Sequence, residues 1–429
     1  MATNATAERL PQGVGRPTPG WGILVGIAAG VLAFGAFAYS REASEGMVLT
    51  GLRDIGTMGG ATWGLYVAFV VYFVGISFAG ITVAALIRLF SLERLRPVAR
   101  MAELLTVVAL VLGALAILAD LGQPLRGIVN LLRYARPQSP FFGTFTLVIA
   151  GYLFASLVYL YLGGRRDAAI CARVPSRLQW LHRLWAAGYQ DTPAERERHR
   201  RTSFWLAIAL IPLLVIATST LGFVFGLQVG RPGWFSALQA PAFVILAGVS
   251  GVGLLLLIAA VVRRAFPEGQ RLGEETFGWL GRFLLVLIIV YLYFTVTELL
   301  TSTYAGHHHE LRVSRALISG TYAPIFWASV ALLVVPLAML LWQAITRRWS
   351  IWALVAIGLL VNLAAIGKRY LIVVPSQTHG SLLPYETGSY SPTWVEYAVI
   401  VGLFALGVLL IALFVKAFPI MEIEEEANA

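Results

Sequence analysis

Charged residues are scarce in this 429-residue chain. Asp, Glu, Lys and Arg together make up 13% of the sequence, whereas hydrophobic residues make up 58%. Soluble domains carry roughly a quarter of charged residues, and a soluble fold could not bury this much apolar surface. The composition therefore excludes an ordinary soluble protein and indicates one that lies within a membrane.

Cysteine and histidine are scarce as well. The single cysteine, Cys171, falls in a basic segment between apolar stretches, so the chain has no internal disulfide and lacks the several thiolates that an iron-sulfur cluster requires. None of the six histidines lies within an apolar stretch, although heme in a helical bundle needs axial histidines at that depth. The three adjacent histidines at 307–309 diverge in direction and lack zinc-ligand spacing. We therefore expect no heme, iron-sulfur cluster or metal in this chain.

Long apolar stretches fill most of the sequence. A helix needs about 20 apolar residues to cross roughly 30 Å of hydrocarbon, and helices satisfy their own backbone hydrogen bonds in lipid. The sequence thus predicts an all-α polytopic membrane protein with about ten transmembrane helices within residues 21–416. The predicted spans are 21–40, 61–87, 103–120, 141–163, 204–226, 241–262, 277–300, 324–346, 351–367 and 394–416.

Lys and Arg are unevenly divided between the two sides of this arrangement. With a cytoplasmic N-terminus, roughly two thirds of the 32 Lys and Arg residues fall on the inner side, which is the bias that sets topology. Lys368 and Arg369 are counted among the outer loop residues. Both termini are therefore expected in the cytoplasm, and the net charge of +10 is attributed to a lipid surface rather than to nucleic acid.

The segments outside the spans are short. We expect a cytoplasmic tail at 1–20, an acidic cytoplasmic tail at 417–429 and a basic cytoplasmic loop at 163–203. Within that loop, residues 177–185 have the pattern of a helix at the membrane interface, with Leu178, Leu181, Leu184 and Trp185 on its apolar face.

The first apolar stretch has two interpretations. Ala36-Phe37-Ala38 has the small-x-small form of a signal-peptide cleavage site, but the run exceeds the usual apolar region of about 7 to 15 residues. We favour a retained helix, and a mature N-terminus near Tyr39 would reverse that choice.

Two carboxyl groups lie at the outer ends of predicted spans. Asp120 ends the third span and Glu298 the seventh. Ionisable residues at membrane depth are costly and mark functional sites by default. Burial and neighbouring charges such as Arg126 tune carboxyls of this kind for proton exchange, which suits acceptance of protons from a hydroquinone. The alternatives are that Asp120 pairs with Arg126 or caps a turn, and that Glu298 faces water.

Several ordered motifs occur along the chain, namely 62–68, 73–77, the Asp-Leu-Gly-Gln-Pro run at 120–124, 130–132 and 137–140. Together they resemble the NrfD/PsrC family of quinone-interacting membrane proteins. The segments 298–301, Tyr304, 369–376 and 390–396 resemble the ten-helix branch of that family, which includes the DsrP-like proteins and the ActC and ActF proteins of alternative complex III. The family often has Arg at the position of Gln123, and often Gly-Asn-x-Pro-Glu-Glu where this chain has 305–310.

This resemblance implies two four-helix bundles plus flanking helices in the bacterial cytoplasmic membrane. It implies a quinone, either menaquinone or ubiquinone, near the periplasmic face and electron exchange with a docked periplasmic iron-sulfur subunit. The iron-sulfur subunit would in turn exchange electrons with molybdoenzyme-like or cytochrome c subunits of the same complex. Some members of the family are thought to translocate protons. The expected catalytic proton acceptors are Asp120 and Glu298. The expected quinone-binding residues are Asp120, Gln123, Arg126, Tyr291, Tyr293, Glu298 and His379.

Two other functions fit the residues. Buried acids near helix ends also suit a secondary ion or solute transporter, which would move its solute without redox partners. A structural membrane anchor with no active quinone site would assemble with partners but hold no quinone.

Overall fold

The computed structural model describes residues 10–423 except 12, 56–61, 91, 135, 137, 139–144, 305 and 380–387. All regular elements in this part of the chain are helical, and ten helical segments are long and apolar enough to cross a membrane. The predicted all-α polytopic fold is confirmed. The helices are α1 (Pro19–Glu45), α2 (Leu65–Leu89), α3 (Arg96–Asp120), α4 (Pro124–Tyr134), α5 (Phe145–Ala172), α6 (Gln179–Ala186), α7 (Pro193–Gly226), α8 (Gln239–Ala265), α9 (Glu274–Tyr304), α10 (His308–Ile318), α11 (Ala323–Thr346), α12 (Ile351–Val373), α13 (Pro375–His379) and α14 (Trp394–Ala417).

Eight spanning helices pack as two four-helix bundles. Helices α2, α3, α5 and α7 form the first bundle, and α8, α9, α11 and α12 form the second. The bundles meet where α2 contacts α8 and α12 and where α7 contacts α8. The remaining spanning helices, α1 and α14, pack on each other, and α14 also packs on α3. They are the flanking helices that the resemblance implied.

Small residues allow two of these contacts. A Cβ atom at Gly35 of α1 would lie 2.8 Å from the Ala398 carbonyl oxygen and from Cα of Gly402 in α14. A Cβ atom at Gly75 of α2 would occupy the space of the Arg369 guanidinium. Glycine therefore permits the close α1–α14 crossing and admits an arginine between the bundles.

Several charged residues lie within helices rather than in loops. Helix α12 continues to Val373, so Lys368 and Arg369 are buried in it, and their assignment to an outer loop was wrong. Arg100 is likewise buried in α3. Cys171 is buried in α5, which extends to Ala172, so its placement in a loop was also wrong. A charge ends an apolar run, but it does not end a helix when neighbouring helices supply partners.

Helix α6 lies in the segment predicted to rest at the membrane interface. Leu181 and Trp185 pack beside Phe418, and Nε2 of His182 lies 2.7 Å from the Ala417 carbonyl oxygen. Leu184 is exposed instead of sharing that apolar face. The helix is therefore docked on the segment that follows α14.

Parts of the predicted features lie outside the described residues. They are 1–9 and 12 of the N-terminal tail, 424–429 of the acidic tail, the start of the span at 61–87, the start of the span at 141–163, and Pro137, Ser139 and Pro140 of the motif at 137–140.

Candidate functional site: buried carboxyl groups at one end of the bundle

Three carboxyl groups meet where α1 and α3 end and α14 begins. They belong to Glu42, Asp120 and Glu396, and we call them the carboxylate cluster. Glu42 and Glu396 are fully buried, and both lie close enough to Asp120 to act on its charge. The Oδ1 atom of Asp120 is buried, and no described group forms a hydrogen bond with it. Like charges this close disfavour simultaneous ionisation, so the cluster is suited to hold and transfer protons.

Glu42 is held by one tyrosine and keeps one oxygen free. The Tyr66 hydroxyl, from the first turn of α2, donates to Glu42 Oε2 at 2.5 Å. Glu42 Oε1 is buried, and it too has no hydrogen-bond partner among the described residues. A buried acceptor without a donor costs about 1–3 kcal/mol, so this oxygen is a candidate for contact with a ligand.

Glu396 has a different role because its oxygens are occupied. Its Oε2 accepts from the backbone N–H of Gly51 at 2.8 Å and of Thr393 at 2.9 Å, which completes the capping box of α14. The Tyr390 hydroxyl donates to Oε1 and accepts from the backbone N–H of Leu65 at 2.7 Å. Burial and the neighbouring Glu396 raise the pKa of Tyr390, so the phenol stays protonated. Glu396 therefore positions the ends of α14 and α2.

No lysine or arginine among the described residues forms an ion pair with this cluster. Arg126 and Gln123 are both exposed. Gln123 lies in the turn between α3 and α4, where Gly122 has a φ of +62° and the Gln123 N–H donates to the Leu121 carbonyl. The structure thus does not join Arg126 to Asp120.

Helix α4 offers an unpartnered apolar surface directly after Asp120. Leu125 is 79% exposed, and Ile128 and Val129 are exposed as well. Amphipathic helices of this kind lie in the interface with their apolar face toward the acyl chains. The exposed apolar residues of α4 would therefore face lipid beside the end of α3.

A second group of ionisable residues lies in the other bundle. Glu298 accepts a hydrogen bond from Gln239 Nε2 at 3.2 Å. Lys368, which is buried, is close enough to act on the charge of Glu298. Its ammonium lies 6.0 Å from the ring centroid of Tyr291 and 5.2 Å from that of Phe326. Glu298 thus has a cation near it, unlike Asp120.

Arg369 lies deeper, at the contact between the bundles. Its guanidinium donates to Ser250 Oγ at 3.2 Å and lies 5.5 Å from the ring centroid of Tyr72. A cavity of 10 Å³ beside it is lined by Gly75 and Thr218, among others. That volume is about the size needed for one water molecule.

The remaining predicted residues are spread over the same end. Tyr291 is buried, whereas Tyr293 is 66% exposed and packs on Phe294. His379 lies beside Tyr322, with ring centroids 5.5 Å apart, and its Nδ1 is 2.9 Å from Thr378 Oγ1. The structure therefore divides the predicted residues between the two bundles, and no described contact joins Asp120 to Glu298.

Sequence reasoning missed Glu42, Glu396 and Lys368 as candidates. Glu396 had a visible signal, because Thr393-x-x-Glu396 is a capping-box sequence at the start of an apolar run. Lys368 had no clear signal, since Gly367 directly before it is a residue typical of a turn at the end of an apolar run. For Glu42 the sequence carries no local signal, because its partner Tyr66 lies on another helix.

The opposite end of the molecule holds a network of paired charges, which we call the arginine network. Arg88 Nη2 lies 2.7 Å from Glu103 Oε1 and 3.4 Å from Glu422 Oε1. Arg100 lies 3.0 Å from Asp167 and donates to the Gly163 carbonyl at 2.6 Å. These acids all have guanidinium partners, as buried charges require.

The described residues contain no group of three or more His, Cys, Asp or Glu placed to hold a metal ion. His307 precedes α10 as its N-cap residue, and His308 and His309 lie in the first turn. The groups available for chemistry at the carboxylate end include carboxyls, phenols, imidazoles and the ammonium of Lys368.

Comparison with known proteins gives consistent matches along the chain. A putative dimethyl sulfoxide reductase membrane subunit from Halobacterium salinarum is 30% identical over 447 residues, covering 100% of this chain and 98% of the relative. A selenate reductase subunit from Mesobacillus selenatarsenatis is 27% identical and covers 90% of this chain and 91% of that relative. An Hdr-like menaquinol oxidoreductase integral membrane subunit from Archaeoglobus fulgidus is 24% identical, with coverage of 93% of both chains.

The family model described as polysulphide reductase, NrfD, matches residues 53–379. This range includes Asp120, Glu298 and all eight helices of the two bundles. Glu42 and Glu396 lie in the flanking helices α1 and α14, outside the range. With most of the chain matched in this way, the protein belongs to the NrfD family of polysulphide reductase membrane proteins.

Proposed function

We propose that this protein is the quinone-reactive membrane subunit of a larger oxidoreductase complex, and that it exchanges protons with the quinone at the carboxylate cluster. The observation that carries the proposal is the pair of buried carboxyl oxygens without partners, Asp120 Oδ1 and Glu42 Oε1. Both lie at one end of the helical bundle, and the exposed apolar residues of α4 follow Asp120 along the chain.

The free oxygens suit the hydroxyl groups of a quinol. Asp120 and Glu42 can each accept a hydrogen bond and then a proton, while Glu396 and Tyr390 hold the surrounding helix ends in place. A quinol oxidised at this site supplies two electrons and two protons. Proton acceptance by positioned carboxyls contributes typically about 10² to 10⁴-fold to a rate, so these side chains can determine the turnover.

The electrons need an acceptor outside this chain. The relatives are named as parts of dimethyl sulfoxide reductase, selenate reductase and a menaquinol oxidoreductase. We propose a docked iron-sulfur protein as the electron partner, on the periplasmic side, with molybdoenzyme-like or cytochrome c subunits beyond it. The same proposal places both termini in the cytoplasm and the carboxylate end at the periplasmic face of the bacterial cytoplasmic membrane. Menaquinol, which appears in the name of one relative, is the quinol of choice for the first assay.

Proton translocation is a second part of the proposal. Ionisable groups are buried at both ends of the bundles, and Arg369 with its small cavity lies between them. Glu298 with Lys368 would be the group that passes protons in the second bundle. In proteoliposomes that hold the complex, quinol oxidation should then acidify one side by more protons than the quinol releases. If the only protons released are those of the quinol itself, the translocation part of the proposal is wrong and the proposed quinone reaction is unaffected.

The central test is Asp120→Asn in the complex purified in mild detergent. We expect quinol oxidation to fall by about 10²-fold or more, while the same partner proteins still co-purify. Asp54→Asn is the matched control, because Asp54 is an exposed carboxyl that pairs with Arg53 at the same end. Normal turnover in an intact Asp120→Asn complex would contradict the assigned role.

The same purification separates the other functions. Bound quinone with iron-sulfur or heme partners supports the oxidoreductase function. Partners without quinone would indicate a structural anchor. A chain that purifies alone and moves a solute in liposomes would indicate a transporter, for which Glu298 and the buried Lys368 would supply the coupling site.

A further inference from the structure

A large cleft opens at the end of the second bundle opposite the carboxylate cluster. Its volume is 1580 Å³, and it lies where α8 and α11 end and where α9 and α12 begin. It shares no residue with the carboxylate cluster or with the Glu298 and Lys368 group. The proposed quinone chemistry therefore does not account for it.

The cleft carries a strong excess of positive charge. Six arginines line it, against two glutamates. Arg94 is paired with Glu275 at 3.1 Å, whereas Arg264, Arg347 and Arg348 are exposed and form no ion pair with a described side chain. Guanidinium groups are planar donors that match phosphate oxygens in pairs. An anion with phosphate chemistry is the ligand that these residues would recognise.

The cleft also has a rigid aromatic wall. The ring of Trp349 lies against Gly278 and Gly281, where Cβ atoms would approach it to 3.0 Å and 2.7 Å. The guanidinium of Arg282 lies 5.4 Å from the ring centroid of Trp349. Tryptophan is enriched where hydrocarbon meets the headgroups, so this wall places the arginines at headgroup depth.

The rim of the cleft is apolar and faces outward. Trp352, a lining residue in the first turn of α12, is 76% exposed. Ile345, in the last turn of α11, does not line the cleft but follows the lining residue Ala344 and is 77% exposed. A soluble phosphate would make no use of this rim. Acyl chains that run down α11 and α12 would cover it, while the phosphate lies among the arginines.

We propose that this cleft binds an anionic phospholipid. Its one or two phosphates contact Arg264, Arg347 and Arg348, and its acyl chains lie on Trp352 and Ile345. Basic pockets between transmembrane helices are a known way of holding such headgroups. The bound lipid would fix the short connection between α11 and α12, where Arg347 adopts a left-handed conformation with φ of 54°.

The test uses the purified complex in nanodiscs of phosphatidylcholine with added cardiolipin or phosphatidylglycerol, followed by native mass spectrometry of the released protein. Wild type should retain the anionic lipid. The variant Arg347→Gln with Arg348→Gln should bind it roughly 25-fold more weakly, about fivefold for each arginine removed near an anionic headgroup.

The matched control is Arg198→Gln with Arg201→Gln. These arginines are exposed near the start of α7, at the same end of the molecule, and their loss removes the same surface charge without touching the cleft. If the two variants lose the same amount of bound lipid, surface charge alone explains the binding and the proposed site in the cleft is wrong. Retention of lipid by the Arg347 and Arg348 variant would overturn it as well.

Pyrophosphate distinguishes the source of the phosphate. If it displaces the lipid at micromolar concentration and binds alone with equal affinity, the cleft takes a soluble phosphate and the lipid assignment is wrong. If only the lipid binds, the apolar rim contributes as proposed. Trp352→Ala should then weaken lipid binding, and equal lipid binding by wild type and Trp352→Ala would contradict a contribution from the rim.

Discussion

The carboxylate cluster and the arginine network are both buried groups of charged residues, but they differ in whether their acidic side chains have cationic partners. In the network, Glu103 and Asp167 each have a guanidinium partner. In the cluster, Asp120 and Glu42 have no ion-pair partner among the described residues, and each keeps a buried oxygen that accepts no hydrogen bond. Both Glu103 oxygens also lack a hydrogen bond, but the Arg88 guanidinium lies 2.7 Å from one of them. Paired charges hold helices together, whereas free acids leave room for a ligand and a proton. The difference separates a region of paired buried charges from the region in which the proposed proton chemistry would take place.

The largest effect should come from breaking the arginine network. Arg100→Gln leaves Asp167 buried without its cation, and removal of one partner of a buried pair costs about 3–5 kcal/mol. Thermal unfolding of the purified protein should show the loss. Arg94→Gln is the control, since Arg94 is exposed and its pair with Glu275 is worth less than about 1 kcal/mol. Equal effects of the two changes would remove the contrast between buried and exposed pairs.

The second effect concerns chemistry and should leave stability nearly unchanged. Glu42→Gln removes a proton acceptor from the cluster but keeps the shape of the side chain, so quinol oxidation should fall by about 10²-fold. Glu45→Gln, three residues further on, removes an exposed carboxyl that pairs with Arg41 and should leave turnover unchanged. The assay is steady-state quinol oxidation by the assembled complex. Should both variants turn over normally, Glu42 has only a structural part.

A third test asks how much one tyrosine supports the cluster. Tyr66→Phe removes the hydrogen bond to Glu42 Oε2, and the lost donor should lower the free energy of unfolding by about 1–3 kcal/mol. Tyr39→Phe is the comparison, because the Tyr39 hydroxyl makes only a long bond of 3.5 Å to the Leu118 carbonyl. Its effect should stay within about 0.5 kcal/mol. Chemical unfolding followed by tryptophan fluorescence measures both.

The smallest effect is expected at Glu310, an acid at the carboxylate end that is held by a backbone N–H. It accepts from Gly233 at 2.9 Å, and burial raises its pKa above the ordinary value. The folded state therefore binds this proton more tightly than the unfolded state, and the stability it contributes is lost as pH rises through the raised pKa. Because Glu310 is half-buried, the loss should stay under about 1 kcal/mol.

Thermal unfolding from acid to neutral pH tests this prediction. Wild type should lose slightly more stability than Glu310→Gln above about pH 4.3, the ordinary value for Glu. Glu45→Gln again serves as the control. A Glu310→Gln curve parallel to that of wild type would show that this carboxyl does not titrate differently on folding.

Hydropathy and charge were sufficient to predict the helical class, the ten spans and the end of the molecule at which Asp120 and Glu298 lie. They failed at helix ends. Helix α1 continues to Glu45 and α12 to Val373, because partners on other helices stabilise Glu42 and Lys368. A single sequence does not reveal which distant residue will supply that partner. For the same reason, the separation of Asp120 from Glu298 into different bundles could not be predicted.

The pairing of α1 with α14 has a consequence for biosynthesis. Glu42 lies in the first of the ten described spans and Glu396 in the tenth, so the carboxylate cluster stays incomplete until the tenth of these spans has been synthesised. A truncated or stalled product would carry Asp120 without its full set of neighbours. If the cluster exchanges protons with a quinol as proposed, that reaction would be restricted to molecules in which all three carboxyl groups are present.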